Sequence, residues 1–391
     1  MSFYQPVDTE FDSSYDPKCG LKLPAAVNSI FLTGANGFLG CYILSKLLQV
    51  SQAKIYCLVR GKTHQYAVQK LISALQRYNL NVDWERVIVV RGDICEHQLG
   101  IDAEEYLLLC QNVDVIIHNA ADVRLFVGYD TVYASNILGL RSALKLAVTG
   151  KLKFFTFISS FSVFNAHVYS DVSVAKEQTL VGDGAGLRFG YAQSKWVGER
   201  ICENARLRGI PVTIIRPPYI LGDSITSAVN QTGLIETILR SVLVSNSAPD
   251  LNFKLHSIPV DICAEMIADI VLKIVKESYI FHVIPFVAIT WTQLLESARN
   301  FGYDITVMAP EEWYQYLQKC FLNQPSVIDT ISILCQDDSR TLWENANVWR
   351  IKFDCENLWR LLPTSNLNSK LDAQFINHYL QSIENFNRGN S

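Results

Sequence analysis

Two short strings in this 391-residue chain bring together residue types that can do chemistry. Thr33 to Gly40 reads TGANGFLG, and Tyr191 to Lys195 reads YAQSK inside the longer GYAQSKWVGE. Gly34, Gly37 and Gly40 are spaced GxxGxxG. That is wider than the usual GxGxxG of a dinucleotide loop, but the physics is the same. One glycine permits a tight turn, a second lets the backbone approach a pyrophosphate, and a third lets helix and strand pack closely. The helix that follows points its N-terminus at the anion. Thr33, Asn36, Phe38 and Leu39 complete the loop. Glycines alone also describe an ordinary turn. The apolar strand before them and the long helix behind them favour the phosphate loop.

Tyr191 and Lys195 stand at i and i+4 and share one helical face. A phenol titrates near ~10. A nearby ammonium is expected to lower that value and make the phenol a usable acid near neutral pH. YxxxK is frequent by chance, and most such pairs mark an exposed helix face. Ser160 changes the balance. It ends the string KFFTFISS, and its hydroxyl can hydrogen-bond a substrate oxygen beside Tyr191. Ser159 is an alternative and Ser162 a weaker one. Asn119, Ala120 and Ala121 end the string DVIIHNAA, where small residues let a cofactor lie close. His118 reads as a satisfied core histidine. Asn136 either supports Lys195 from the next helix or is a buried structural asparagine.

The end of the second apolar run selects the cofactor. A site for NAD places Asp or Glu there, about 20 residues beyond the glycines, for the ribose hydroxyl. This chain has Arg60, in CLVRGK. A guanidinium cannot accept from that hydroxyl but can clamp a 2′-phosphate, so NADPH is expected. Lys62 and Lys70 are candidate helpers, and a solvated surface arginine is the competing reading of Arg60. Asp93, followed by Ile94 in RGDI, either faces the adenine amino group or caps a helix.

These residues need a scaffold, and the hydrophobic pattern supplies one. Apolar strand-like runs at 29–33, 54–59, 86–93, 114–121, 153–160 and 211–218 alternate with helical periodicity at 37–50, 67–78, 135–148 and 191–207. Strand, helix, strand in succession implies right-handed parallel crossovers. The fold class is α/β, a Rossmann-type doubly wound parallel sheet with a smaller, mostly helical C-terminal substrate domain. Residues 1–28 read as a loosely held lead-in. The sheet domain takes 29–222 plus about 253–290, and the substrate domain takes 223–252 plus about 291–391. Helices are expected at 234–244 and 259–275, and 279–284 is a candidate further strand. Ligands in such sheets sit at the carboxyl ends of the strands, where every motif above falls.

Hydrophobic residues make up 49% and charged residues 18%, the composition of a folded globular chain. The net charge of −4 leaves no global basic footprint for nucleic acid. Ten cysteines without CxxC or zinc spacing read as reduced thiols, most of them core filler, and no metal site is expected. The polar, acidic start is neither a signal nor a transit peptide. The apolar stretch Tyr279 to Trp291 is too short to span a bilayer. A cytoplasmic protein without membrane attachment is expected.

Strung together, TGANGFLG, CLVRG, GDI, HNAA, FISS, GYAQSKW, RPPYILGDS and PVD resemble the extended short-chain dehydrogenase/reductase superfamily. Within it, GYAQSKWVGE and RPPYILGDS resemble the thioester reductase domains that end non-ribosomal peptide synthetases, polyketide synthases and carboxylic acid reductases. The resemblance runs from about Ser29 to Val275 and weakens beyond. It implies NADPH-dependent reduction of an acyl or peptidyl thioester on a phosphopantetheine arm, releasing an aldehyde that some members reduce again to an alcohol. It also implies Ser160, Tyr191 and Lys195 as catalytic triad. Gly34, Gly37, Gly40, Arg60, Asp93, Asn119 and the stretch Pro217 to Ile220, with Pro218 and Ile220 as contacts, would hold the cofactor. No adenylation or carrier string precedes the motifs, so the thioester is expected in trans, from a carrier protein or from coenzyme A. Relatives often read Asn, two residues, then Asp after GDS. Here Asn230 is followed by Gln, Thr and Gly233, a departure that would permit four-electron reduction. A fatty acyl-CoA reductase, an NAD-dependent nucleotide-sugar epimerase or dehydratase, and a non-enzymatic dinucleotide sensor are the competing readings.

Overall fold

Seven apolar segments form one sheet: β1 (Ser29–Thr33), β2 (Lys54–Val59), β3 (Val87–Arg91), β4 (Val115–His118), β5 (Phe154–Ile158), β6 (Val212–Arg216) and β7 (Ile280–His282). The computed structural model describes residues 3–321 and 351–389, except for 12, 19–20, 125–126, 166–172, 179–181, 183, 185, 227, 253, 274–279, 285–287 and 363–371. The strands run in the order β7-β6-β5-β4-β1-β2-β3, every neighbouring pair parallel. Strands β1, β4, β5 and β6 are buried along their whole length, which explains their unbroken apolar character. The chain reverses direction across the sheet between β1 and β4, so the carboxyl ends of those two strands flank the switch point where such folds bind ligands.

The connecting helices follow from local chemistry. Helix α1 (Phe38–Val50) starts directly after the glycine loop. Helix α2 (His64–Arg77) is capped by the Thr63 hydroxyl, which accepts from the Tyr66 amide at 3.2 Å. Helix α3 (Ala103–Asn112) is capped by the Asp102 side chain. The sequence pattern did not reveal α3, because its apolar run includes Leu107 and Leu108, each 58% exposed, which blurs the helical period. After β4 the chain forms α4 (Tyr129–Tyr133), a π-turn at Ala134–Leu138 and α5 (Gly139–Val148), so the expected helix begins earlier than residue 135. Helix α6 (Gly190–Leu207) connects β5 to β6.

The chain divides into two compact units. The first comprises Met1–Pro217, Cys263–Val283 and Lys352–Thr364, and the second Pro218–Ile262, Ile284–Ile351 and Ser365–Ser391. Within the first unit the N-terminal stretch is not loosely held. Tyr4 donates its amide to Gln193 Oε1 at 3.0 Å and packs its ring 4.8 Å from that of Trp196, both on α6. Arg141 Nη2 donates to the carbonyls of Asp8 and Glu10, and Asn204 to that of Thr9. Phe11 is 6% exposed. The polar composition that reads as a loose tail instead supplies carbonyls for side chains on α5 and α6.

In the second unit, helices α7 (Leu234–Ser245), α9 (Trp291–Asn300), α10 (Pro310–Cys320) and α12 (Ala373–Gly389) contribute to one apolar core. Helix α8 (Val260–Lys273) spans the division and α11 (Glu356–Leu361) belongs to the first unit. Trp291 and Trp313 are buried core residues, their indole N–H groups donating to the carbonyls of Pro249 and Ser247. Trp343 and Trp349 lie outside the described residues. Gly233 is the N-cap of α7. A Cβ there would stand 2.0 Å from Glu236 Oε2. That buried carboxylate accepts from the Tyr219 and Tyr379 hydroxyls, each at 2.7 Å, and burial pushes its pKa up.

Candidate functional site

The glycine loop has the geometry its spacing anticipates. Gly34 adopts φ +70°, a conformation that L side chains rarely adopt. A Cβ on it would also lie 2.9 Å from the Ala120 backbone. Gly37 donates its amide to the Gly34 carbonyl at 3.0 Å, and a Cβ on Gly40 would stand only 2.0 Å from that same oxygen. Asn119 Nδ2 donates to it as well, at 3.3 Å. Thr33 fastens β1 to the end of β4. Its hydroxyl oxygen accepts the amides of Asn119 and Ala120 at 3.1 and 3.0 Å, leaving its proton for His118 Nδ1 at 3.2 Å. No side chain caps the N-terminus of α1, so its first amides are open to an anion. This cradle, which a Cβ on Gly34 or Gly40 would fill and which an uncapped helix edges, fits a dinucleotide pyrophosphate.

At the ends of β2 and β3 the structure brings Arg60, Asp93 and Lys70 together. Arg60 Nη1 lies 3.8 Å from Asp93 Oδ2, and Lys70 Nζ donates to the Arg60 carbonyl at 3.4 Å. The Arg60 side chain is 72% exposed, so this loose ion pair contributes little stability and leaves the guanidinium free to turn to a phosphate. Ile94 packs against Gly139, where a Cβ would meet it at 3.1 Å. Pro218 and Ile220 belong to the second unit, Ile220 in the short strand Tyr219–Leu221 that pairs with Ser257–Pro259.

Ser160, Tyr191 and Lys195 meet at the carboxyl end of β5. The Ser160 hydroxyl lies close enough to the Tyr191 phenol to oppose the rise of its pKa and accepts the Ser162 amide at 3.1 Å. Lys195 is buried, 5.8 Å from the Tyr191 ring centroid, and its Nζ donates to the Ile158 carbonyl at 2.6 Å. One expectation is overturned here. Burial pushes the Tyr191 phenol up to about 12, with the Ser160 hydroxyl opposing, whereas the i, i+4 ammonium was expected to pull it down. The ammonium is committed to a backbone carbonyl and is itself held down to about 8 by burial, with Cys202 and Glu199 opposing. The hydrogen bonds of Asn136, in the π-turn, go elsewhere than to Lys195. Asn136 accepts from the Asp122 amide at 2.7 Å and donates to the Asp122 carbonyl and to Ser194 Oγ at 3.0 and 2.9 Å, tying the loop after Ala121 to α6. His118 is 1% exposed, stacks near Phe155 and Phe157, and is held down to about 3 by burial and Lys195. Its Nε2 lacks a hydrogen-bond partner among the described residues, so it is a core histidine but not a satisfied one.

Two residues unassigned from sequence stand out. Glu199, the last residue of GYAQSKWVGE, is 2% exposed and Arg216 on β6 is 0% exposed. Arg216 donates from Nε and Nη2 to the two carboxylate oxygens at 2.9 and 2.6 Å. The available signal was an arginine inside the apolar run PVTIIRPP, since a buried charge demands a partner.

The chain matches the family model described as "Male sterility protein" over residues 32–267. It is 32% identical over 298 residues to a linear gramicidin synthase protein of Brevibacillus parabrevis, covering 76% of this chain and 6% of that protein. It is 32% identical over 333 residues to the L-2-aminoadipate reductase large subunit of Eremothecium gossypii, covering 80% of this chain and 24% of that one. The chain thus spans about a quarter or less of these relatives' length. Among solved structures, the terminal R domain from the myxalamid PKS-NRPS biosynthetic pathway superposes with a TM-score of 0.86 at 28% identity, covering 97% of this chain and 96% of that one. No helix among the described residues is long and apolar enough to cross a membrane. A family model over more than half the chain, relatives of this identity and a matching reductase-domain fold agree with the nicotinamide-type loop and the Ser, Tyr and Lys cluster: the chain belongs to the male sterility protein family and, within it, to the terminal reductase domains of the extended short-chain dehydrogenase/reductase superfamily.

Proposed function

We propose that the protein is an NADPH-dependent thioester reductase. Its substrate is an acyl or peptidyl chain on the phosphopantetheine arm of a carrier protein, and its product is an aldehyde, with reduction onward to the alcohol as the second outcome. The observation that carries this reading is the convergence of Ser160, Tyr191 and Lys195 at the end of β5, on the same carboxyl edge of the sheet as the glycine loop. Arg60 beside Lys70 and Asp93 supports NADPH, because a 2′-phosphate is the group a loosely held guanidinium would clamp.

When bound, NADPH supplies the hydride. The chain's own residues orient the acyl carbonyl and answer the charge that builds on its oxygen. With a pKa near about 12, Tyr191 is protonated throughout the neutral range and donates to that oxygen together with Ser160. Lys195, near about 8, is largely cationic at neutral pH and stabilises the developing oxyanion from beneath the phenol. Collapse of the tetrahedral oxyanion re-forms the carbonyl as the aldehyde and breaks the carbon–sulfur bond, and the departing thiolate takes its proton from water. The carboxylate of Glu236 fills the space beside Gly233, so that turn holds an acidic group although residue 233 is a glycine. This removes the simple argument from Gly233 to an alcohol product.

The test supplies purified protein and NADPH with matched acyl-carrier, acyl-coenzyme A and acyl-pantetheine thioesters, following NADPH absorbance and the product. Oxidation with the carrier-bound substrate far above the others supports the proposal. Preference for the coenzyme A thioester would replace it with a fatty acyl-CoA reductase. No oxidation with any thioester would reject both. Tyr191→Phe should bind NADPH and turn over little, and normal turnover by that variant would refute its role.

A further inference from the structure

We propose that Glu199 is a positioning residue, acting through Ser159 and Arg216 to hold Ser160 and Lys195 in register. The inference rests on the site described above and extends it to a group that touches neither substrate nor cofactor. Tyr191, Lys195 and Glu199 fall at i, i+4 and i+8 on one face of α6. That face is stitched to the end of β5 at two successive residues. Lys195 Nζ donates to the Ile158 carbonyl at 2.6 Å, and Ser159 Oγ donates to Glu199 Oε1 at 2.5 Å. Ser160 follows immediately. Strand β6 closes the clamp from the other side. Ser159 donates its amide to the Ile215 carbonyl at 2.7 Å and Phe161 donates to that of Pro217 at 3.0 Å, while Arg216 engages both Glu199 oxygens.

The Nη1 donors of Arg216 are also used. Nη1 donates to His282 Nε2 at 3.0 Å and to the Glu177 carbonyl at 3.3 Å. An Nε2 that accepts fixes the His282 proton on Nδ1, which donates to the Asp354 carbonyl at 2.8 Å. Glu199 therefore supplies the carboxylate that engages Nε and Nη2, while the groups at Nη1, His282 and the Glu177 carbonyl, are neutral. A buried pair satisfied on every side positions strongly, and removing one partner strands the other.

Glu199 also acts on Lys195 electrostatically. The titratable groups that face Lys195 are Tyr191, Glu199 and Cys202 on α6 and His118 on β4. Of these, the carboxylate is the group that favours the ammonium at neutral pH.

The test compares wild type with Ser159→Ala, Glu199→Gln and the double variant. Ser159→Ala removes one hydroxyl and is expected to fold. NADPH dissociation constants should stay within about threefold while kcat falls about tenfold or more in each single variant. The two effects should be non-additive in the double variant. Independently of turnover, the ¹⁵N signal of Lys195, identified by its loss in Lys195→Met, should titrate at lower pH in Glu199→Gln. Unchanged kcat in Ser159→Ala together with an unchanged Lys195 titration in Glu199→Gln would overturn the proposal. Were wild type inactive on every thioester, the reductase reading would fail, and the Lys195 titration would still decide the role of Glu199.

Discussion

Gly40→Ala isolates the claim that the glycine loop is a cradle with no spare volume. The added Cβ would stand 2.0 Å from the Gly34 carbonyl oxygen, whereas ordinary contact begins at 3.4 Å, so the oxygen must retreat by about 1.4 Å. It cannot do so freely. Gly34 already packs against the Ala120 backbone, and its oxygen accepts from the Gly37 amide and from Asn119 Nδ2. Overpacking costs about 1–3 kcal/mol, and losing two hydrogen bonds adds about 1 kcal/mol each. Alanine returns about 1 kcal/mol of helix propensity inside α1, leaving a net loss of about 2–4 kcal/mol. The effect on binding is a separate loss of similar size. A loop displaced by more than about 1 Å misdirects the amides aimed at the pyrophosphate, and misplacement of that size costs on the order of 100-fold. NADPH titration followed by fluorescence, on protein shown to be folded by circular dichroism, reads the binding term, and denaturant unfolding reads the stability term. A variant that binds NADPH within twofold of wild type (about 0.4 kcal/mol) would refute the cradle argument.

Three further outcomes follow from the same geometry. Lys195 is cationic below about 8, so kcat/KM should fall about tenfold per pH unit above that value. Tyr191, raised to about 12, cannot be the source of that limb, and a profile flat to about pH 10 would contradict the assignment. Because the folded-state pKa of Lys195 lies below its ordinary 10.5, the unfolded chain binds more protons between these values. The Lys195 contribution to stability should therefore rise with pH from about 8 to 10.5, seen as a difference in unfolding free energy between wild type and Lys195→Met. Arg60→Asp should reduce the kcat/KM preference for NADPH over NADH by roughly 10–100-fold, and an unchanged ratio would count against the clamp. Gly233→Asp should destabilise the second unit by about 2–4 kcal/mol in denaturant melts, because it evicts the Glu236 carboxylate from two tyrosine hydroxyls. Partial rescue by Glu236→Ala in the double variant would tie the loss to that collision.

The sheet was legible because its strands are buried on both faces and its glycines are spaced by steric need. Residues 29–33 and 54–59 matched their strands residue for residue, and Gly34, Gly37 and Gly40 occupy positions that admit no Cβ without displacement or strain. Helix α3 was not legible, because its outward leucines erase the period that distinguishes a half-buried helix. Nor was the docking of residues 3–16 on α5 and α6. That packing uses backbone carbonyls as acceptors, and every residue type has one, so no pattern marks them.

The clearest divide runs through the catalytic face itself. Spacing was enough to put Tyr191 and Lys195 on one side of α6, because helical periodicity is a local property. Their electrostatics are not local. The direction of the Tyr191 shift depends on how far the phenol is desolvated and on where the ammonium points, and both are decided by β5. The Ile158 carbonyl draws Lys195 Nζ to 2.6 Å, while burial lifts the phenol. A lysine at i+4 therefore does not by itself make a tyrosine acidic. It does so only where the fold leaves the ammonium nothing better to bind. In the proposed reaction the phenol, raised by burial, would act as a hydrogen-bond donor that stays protonated, and charge compensation would fall to Lys195 and to the carboxylate one turn beyond it.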